Sequence, residues 1–528
     1  MKKIFSSWKQ DFPAGLVVFL VALPLCLGVA LGSTGTMAVP NLFSGIIAGV
    51  IGGIIVGIFS GSRLGVSGPA AGLITIVASA IVTLGSYEAF LLAVIIAGAL
   101  QLLAGYFKLG IIGNYFPSSV IKGMLAAIGL TLIFKQVPHL VGYDKDFMGD
   151  EQFAQVDGQN TFSELLNSLN YISPTAVLIA VISLAILILF DRPFMKKIAL
   201  FKILPGALFV VVLGIVINLL APGNMKLSGE HLVSIPVANS FQEFRGFFTQ
   251  PNFSAFTDYN VYIIAFTIAL VASLETLLSV EATDKLDPEK FVTPTNKELK
   301  AQGLGNIISG LLGGLPVTQV IVRSSANINS GGQSKLSTIF HGVLLLLSVI
   351  IIPQVLNLIP YASLAAILVM VGYKLSNVGL YKQMYKLGIA QFLPFLTTIV
   401  VVMFTDLLKG IFAGLFVAVF FIIKNSSGYF KNKKNLKSSI RISKDRLEAD
   451  KEVVTLTLAE NVTFLNKGQV KQVLNTISEN QDVVIDGTQN TYVDYDVLEV
   501  IQEFKESAPS NNISVKTIAV EEVNVMGH

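Results

Sequence analysis

Two charged residues fall where the surrounding sequence is apolar. Glu275 sits within residues 263–280, otherwise an uncharged run, and Arg323 follows Gly313-Gly-Leu-Pro-Val-Thr-Gln-Val-Ile-Val322. A charge at the centre of a bilayer costs about 2.5–3.5 kcal/mol on insertion scales, so it calls for a partner, a cavity or a proton. Glu275 therefore reads as a site for a coupling Na⁺ or H⁺. Ser279 lies one turn further on the same face and can add an oxygen ligand. The plainer reading is a neutral, hydrogen-bonded glutamic acid, or one close enough to a helix end to reach water. Arg323 is expected about two turns into its helix, as fixed positive charge beside an anion. Snorkelling to the surface and an ion pair with Glu275 are the alternatives.

Two short apolar segments supply the rest of such a site. One reads Gly65-Val-Ser-Gly-Pro-Ala-Ala-Gly72 and the other carries Pro316 ahead of Val317, Thr318 and Gln319. Proline suits the first position of a helix, where its missing N–H would be unpaired anyway. Each segment thus reads as a helix that starts at membrane depth and turns free N–H groups and a positive dipole end inward. Two such ends in matching halves of a chain point to an anion site in a transporter. The expected substrate contacts are Ser67, Gly68, Pro69, Ala70 and Ala71 in the first half, and Val317, Thr318, Gln319 and Arg323 in the second. For Ser67, Thr318 and Gln319, interhelical hydrogen bonding is the alternative role.

The elements that must hold these residues follow from composition. The chain has 528 residues, 53% hydrophobic and 13% charged, with a net charge of +3. Mean hydropathy is +0.69. This is a polytopic α-helical membrane protein in outline, and its charge is too small to suggest nucleic acid binding. Spanning segments are expected near 13–32, 40–59, 67–85, 88–107, 118–137, 174–190 and 203–221. A second set falls near 260–280, 299–313, 317–330, 336–353, 360–373, 391–406 and 409–424. Seven spans per half force the second repeat (260–424) to be inverted relative to the first (13–221), making residues 1–426 a transport domain. Lys and Arg mark the cytoplasmic side. Arg63, Lys108, Lys122, Arg192, Lys196, Lys197, Lys335, Lys374, Lys382 and Lys386 then all fall in inward loops, with both termini cytoplasmic. The acidic loop from 143 to 161 falls outside. The first apolar run is expected to be a retained helix, not a cleaved signal.

Residues 427–446 form a basic linker suited to lipid headgroups, and 447–528 alternate strand and helix patterns as a small α/β domain. A single cysteine, Cys26, excludes any disulfide within the chain. The four histidines are scattered, no Cys/His cluster suggests a metal centre, and no nucleophile motif or organic cofactor site appears. The chain reads as a transporter and not an enzyme.

These features together resemble the sulfate permease (SulP) family of bacterial anion transporters, whose animal relatives carry sulfate, chloride, bicarbonate or oxalate. The likeness covers nearly the whole chain. It rests most on Asn296-Lys-Glu-Leu-Lys-Ala-Gln-Gly-Leu-Gly-Asn306, running on to Arg323 and Gly331-Gly332. Asp11-Phe-Pro-Ala-Gly15 with Pro24, and Asp406 with Gly410 and Gly414, add to it. The resemblance implies a fourteen-span inverted repeat with core and gate parts, an elevator motion of the core, a homodimer, and a C-terminal STAS domain. It also implies the bacterial cytoplasmic membrane as the location. It maps the anion site onto residues 67–71 and 317–319 near Arg323, and the coupling acid onto Glu275.

Where many sulfate permeases have glutamine after Pro24, this chain has Leu25 and then Cys26. Glu275 and Ser279 resemble the sodium ligands of bacterial bicarbonate carriers, although Ile321 stands where those draw a further hydroxyl. The loop Tyr492-Val-Asp-Tyr-Asp496 lacks the serine that regulatory relatives phosphorylate, which points to a structural or dimer-contacting role. The expected function is secondary transport of a small inorganic anion, bicarbonate by Na⁺ or H⁺ symport. Sulfate or another oxyanion or dicarboxylate carried by proton symport or exchange is the alternative. An anion channel, a membrane-tethered regulatory module and a nucleobase carrier are the other readings.

Overall fold

A computed structural model describes residues 7–35, 37, 40–148, 153–154, 158–192, 205–238, 240–426, 440–446, 452–477 and 481–523. The first half runs α1 (Trp8–Thr34), α2 (Leu42–Ile51, extended through a π turn to Phe59), β1 (Ser67–Pro69) and α3 (Ile74–Leu84). It continues with α4 (Tyr87–Tyr106), α5 (Ser118–Val141), α6 (Pro174–Phe190) and α7 (Gly206–Leu220). The second half repeats that order. It runs α8 (Tyr259–Leu286), α9 (Thr295–Leu312), β2 (Val317–Gln319), α10 (Ile321–Asn329), α11 (Leu336–Ile351), α12 (Tyr361–Leu375), α13 (Ile389–Phe404) and α14 (Leu407–Ser426). In each half the third member is a strand that feeds a short helix. Every expected span has a counterpart among the described residues.

Seven of the spans are long and apolar enough to cross a bilayer by themselves. The half-helix α10 has only nine residues and is buried almost throughout. Its polar side chains pair with its own backbone and with the 64–69 segment. Asn327 donates to the Leu64 carbonyl and Ser324 accepts from the Val66 N–H, which keeps these two paired in an apolar interior.

The helices pack as two groups. One contains α1, α2, α3, α4, α8, α9, α10 and α11, with α4 against α9 and α1 against α11. The other contains α5, α6, α7, α12, α13 and α14, with α5 against both α12 and α13. Both half-helices lie in the first group.

The C-terminal domain is a four-stranded sheet, β3 (Ile440–Arg446), β4 (Glu452–Leu458), β5 (Asp482–Asp486) and β6 (Ser514–Ile518), in that spatial order. β3 pairs antiparallel with β4, and the remaining pairs are parallel. Its helices α15 (Lys467–Leu474) and α16 (Tyr495–Ser507) bury Val470, Leu474, Val497 and Ile501 against Val454, Leu456, Val483 and Ile485. Strand β3 replaces part of what reads in the sequence as linker. Arg441, Lys444 and Arg446 belong to this strand, which lies at the sheet edge and is partnered on one side only. Residues 427–439, with their four lysines, lie outside the described residues, as do Lys196, Lys197, Asp150, Glu151 and Asp157.

Candidate functional site

The two interrupted segments meet as strands. Ser67 pairs with Gln319, Gly68 with Thr318 and Pro69 with Val317, antiparallel. This corrects the expectation that the prolines open helices. Pro69 closes β1, and the first helical turn begins only at Ala71; Pro316 precedes β2, and α10 begins at Ile321. The reason is backbone accounting. Extended backbone deep in an apolar interior must pair its N–H and C=O groups, and the opposite segment offers the nearest partners. Only past the crossing, after Ala70 and Val320 in extended conformation, does each chain turn helical.

Helix α9 secures this crossing from one face. Asn306 accepts a hydrogen bond from the Val317 N–H at 2.6 Å and donates to the Val317 carbonyl at 3.0 Å. One turn earlier Gln302 donates to the Ser67 hydroxyl at 2.7 Å. A further turn back, Glu298 accepts from the Gly61 N–H at 3.1 Å and from the Ser60 hydroxyl. Helix α8 holds the other side. The Gln319 N–H reaches Thr276 Oγ1 at 3.3 Å, and its side-chain amide donates to Thr283 Oγ1 at 3.0 Å. Ser67 and Gln319 thus spend their side chains on the scaffold. Glu298, Gln302 and Asn306 fall within the motif noted in the sequence but without a role there, and Thr276 and Thr283 are not singled out by it. The polar stripe at spacing four along α9 was the available signal.

Arg323 is the third residue of α10, in its first turn and not its second. It is 1% exposed, so the snorkelling alternative is excluded. Its Nη2 donates to the Pro69 carbonyl at 3.4 Å, reaching across to the other half. Its Nη1 finds no hydrogen-bond acceptor among the described residues. A methyl group on Gly68 would sit 2.0 Å from that Nη1, so only glycine lets the guanidinium lie against the strand.

Beside Arg323 a cavity of 30 Å³ is lined by Leu25, Val29, Pro69, Ala71, Val320 and Val322. It lies between the beginnings of the two half-helices. Arg323 supplies the only charge in its lining, and Leu25 makes apolar the wall where a glutamine would have offered polar atoms. Among the expected contacts, Pro69, Ala71 and Arg323 line this cavity. Thr318 is fully buried at the strand pair, and its hydroxyl has no partner among the described residues.

Glu275 is buried on α8, at the first turn of the other half-helix. A methyl on Gly72 would lie 3.2 Å from both of its carboxylate oxygens. Ser279 is buried one turn further along α8. Ala71 and Gly72 also border a larger cavity of 690 Å³, whose opposite wall includes Thr131 of α5 and Val402, Leu408 and Phe412 of α13 and α14. It therefore separates the two helix groups, reaching the α13–α14 turn.

Known proteins resemble this chain in sequence and in fold. Residues 8–398 match the Sulfate permease family. YvdB of Bacillus subtilis (strain 168), named for sulfate transport, is 30% identical over 422 residues, covering 80% of this chain and 74% of its own. The bicarbonate transporter BicA of Synechocystis sp. is 28% identical over 327 residues, or 62% of this chain and 53% of that one. Among solved structures, the transmembrane domain of a cyanobacterial BicA superposes with a TM-score of 0.52 at 24% identity, covering 79% of this chain and 98% of that one. SLC26A9 superposes with a TM-score of 0.55 at 14% identity, covering 97% of this chain and 84% of that one. With the family pattern spanning most of its length and the fold agreeing, the chain belongs to the sulfate permease family of membrane transporters.

Proposed function

We propose that the protein is a secondary carrier that moves bicarbonate together with Na⁺ or H⁺. The observation that carries this reading is Arg323, buried in the first turn of a half-helix with Nη1 unmatched beside a small cavity. Buried donors without acceptors are costly, and an anion in the cavity relieves that cost. The dipole ends of two half-helices add to the attraction. One fixed positive charge matches one negative charge, which favours a monoanion over a dianion. Glu275, against the other half-helix, takes the coupling cation, with Ser279 as an oxygen donor when that cation is Na⁺. Arg323 and Glu275 balance in the empty site, and binding of both ions keeps that balance. Either ion alone leaves a net charge that is costly to move through an apolar interior.

In this reading the group that carries both half-helices shifts against the other group, so that the site opens to each side in turn. Sulfate carried with a proton is the second reading, favoured by the similarity to YvdB. The test is apparent anion affinity in proteoliposomes for the full chain and for Arg323→Ala. The variant is expected to weaken affinity for labelled bicarbonate by at least about tenfold, equivalent to ~1.4 kcal/mol. Unchanged affinity in a folded variant would remove the arginine from the site.

A further inference from the structure

The C-terminal domain touches both helix groups through the same side chains. Glu499 on α16 places Oε1 2.7 Å from Lys122 Nζ on α5, and Oε2 2.6 Å from Lys285 Nζ on α8. Helix α5 belongs to one group and α8, which carries Glu275, to the other. Lys467 on α15 repeats the pattern. Its Nζ donates to the Phe116 carbonyl, just ahead of α5, at 2.7 Å, and lies 3.8 Å from Glu281 on α8. Lys471 adds a 2.7 Å contact to Glu281. Ser118, at the start of α5, gives its N–H to Asp496 at 2.7 Å and its hydroxyl to Glu499. Lys122, Lys285, Lys467, Glu281 and Glu499 are all buried.

We propose that the C-terminal domain is a latch, in which Glu499 and Lys467 each bridge the two helix groups and hold them in one relative position. Docking alone needs contact with only one group. Here two residues on different helices each span the seam. Displacing α8 relative to α5 must pull one partner away from Glu499 and another from Lys467. Breaking a buried pair leaves an uncompensated charge, so the displacement is opposed until the domain shifts or leaves. The position held is the one in which the 690 Å³ cavity separates the groups near the α13–α14 turn, away from the latch. The idea rests on the reading that the two groups move relative to one another during transport.

The test reads that movement directly, without depending on the transported ion. Spin labels at Thr75→Cys on α3 and Lys409→Cys on α14 line the large cavity from the two different groups, with the fully buried Cys26 left in place. The full chain in lipid nanodiscs should give a single distance population. Glu499→Gln should add a second population, and Lys122→Met and Lys285→Met should each do so alone, because a bridge needs both ends. A coupling of ordinary size shifts the ratio of the two positions by about fivefold or more. An unchanged distribution in all three variants and in Glu499→Gln combined with Lys467→Met, which removes both bridges, would overturn the latch while leaving the transport reading intact. If the native chain already shows both populations in equal measure, the latch is likewise refuted. Absence of anion uptake by the native chain, together with the expected distance changes, would instead count against the transport reading alone.

Discussion

At the scale of single residues, the two charges in apolar sequence were the legible part of the site. A carboxylate and a guanidinium inside membrane spans demand an explanation whatever the fold, and both prove buried beside half-helix beginnings. The roles of Ser67 and Gln319 were not legible in the same way. Their partners, Gln302 and Thr283, come from spans far along the chain, and no local pattern links them. Glu275→Gln keeps the size and polarity of the side chain but cannot bind a cation through charge or release a proton. Uptake by this variant is expected to lose its dependence on the Na⁺ or H⁺ gradient while anion binding persists. Retained cation-driven uptake, measured in proteoliposomes, would assign coupling elsewhere.

At the scale of elements, the expected positions of all fourteen spans were close because hydropathy reports burial in lipid directly. The start of each half-helix differs from the sequence expectation because proline has two uses. It opens helices, but it also closes or precedes a strand whose N–H is not needed. Choosing between them requires knowing that the opposite half brings a second strand to pair. The motif from Asn296 to Asn306 looked like a family mark alone, yet it is a stripe of side chains that ties the crossing together. Asn306→Ala would strand both polar groups of Val317 in an apolar interior. Each orphaned group costs about 1–3 kcal/mol, so a clear fall in thermal unfolding temperature in detergent is expected. A variant as stable as the parent would mean that water or a shifted neighbour satisfies Val317.

At the scale of the whole molecule, positive charge carried two messages that one chain reading could not separate. Lys122 falls by sequence among the markers of the cytoplasmic side, yet it is buried against Glu499 near the other end of the chain. The basic residues of β3 likewise resembled a lipid-facing linker, because an edge strand tolerates charge as a linker does. What the whole molecule provides is two helix groups with a cavity along the seam at one end and a charged domain across it at the other. The central claim is that this assembly couples anion movement to a cation gradient. The most direct measurement is uptake of labelled bicarbonate and sulfate by the full chain in proteoliposomes, with Na⁺ and pH gradients imposed separately. Bicarbonate accumulating against its own gradient only when a cation gradient is present is the expected result. Anion flux that runs downhill and ignores both gradients would contradict the account and indicate a channel.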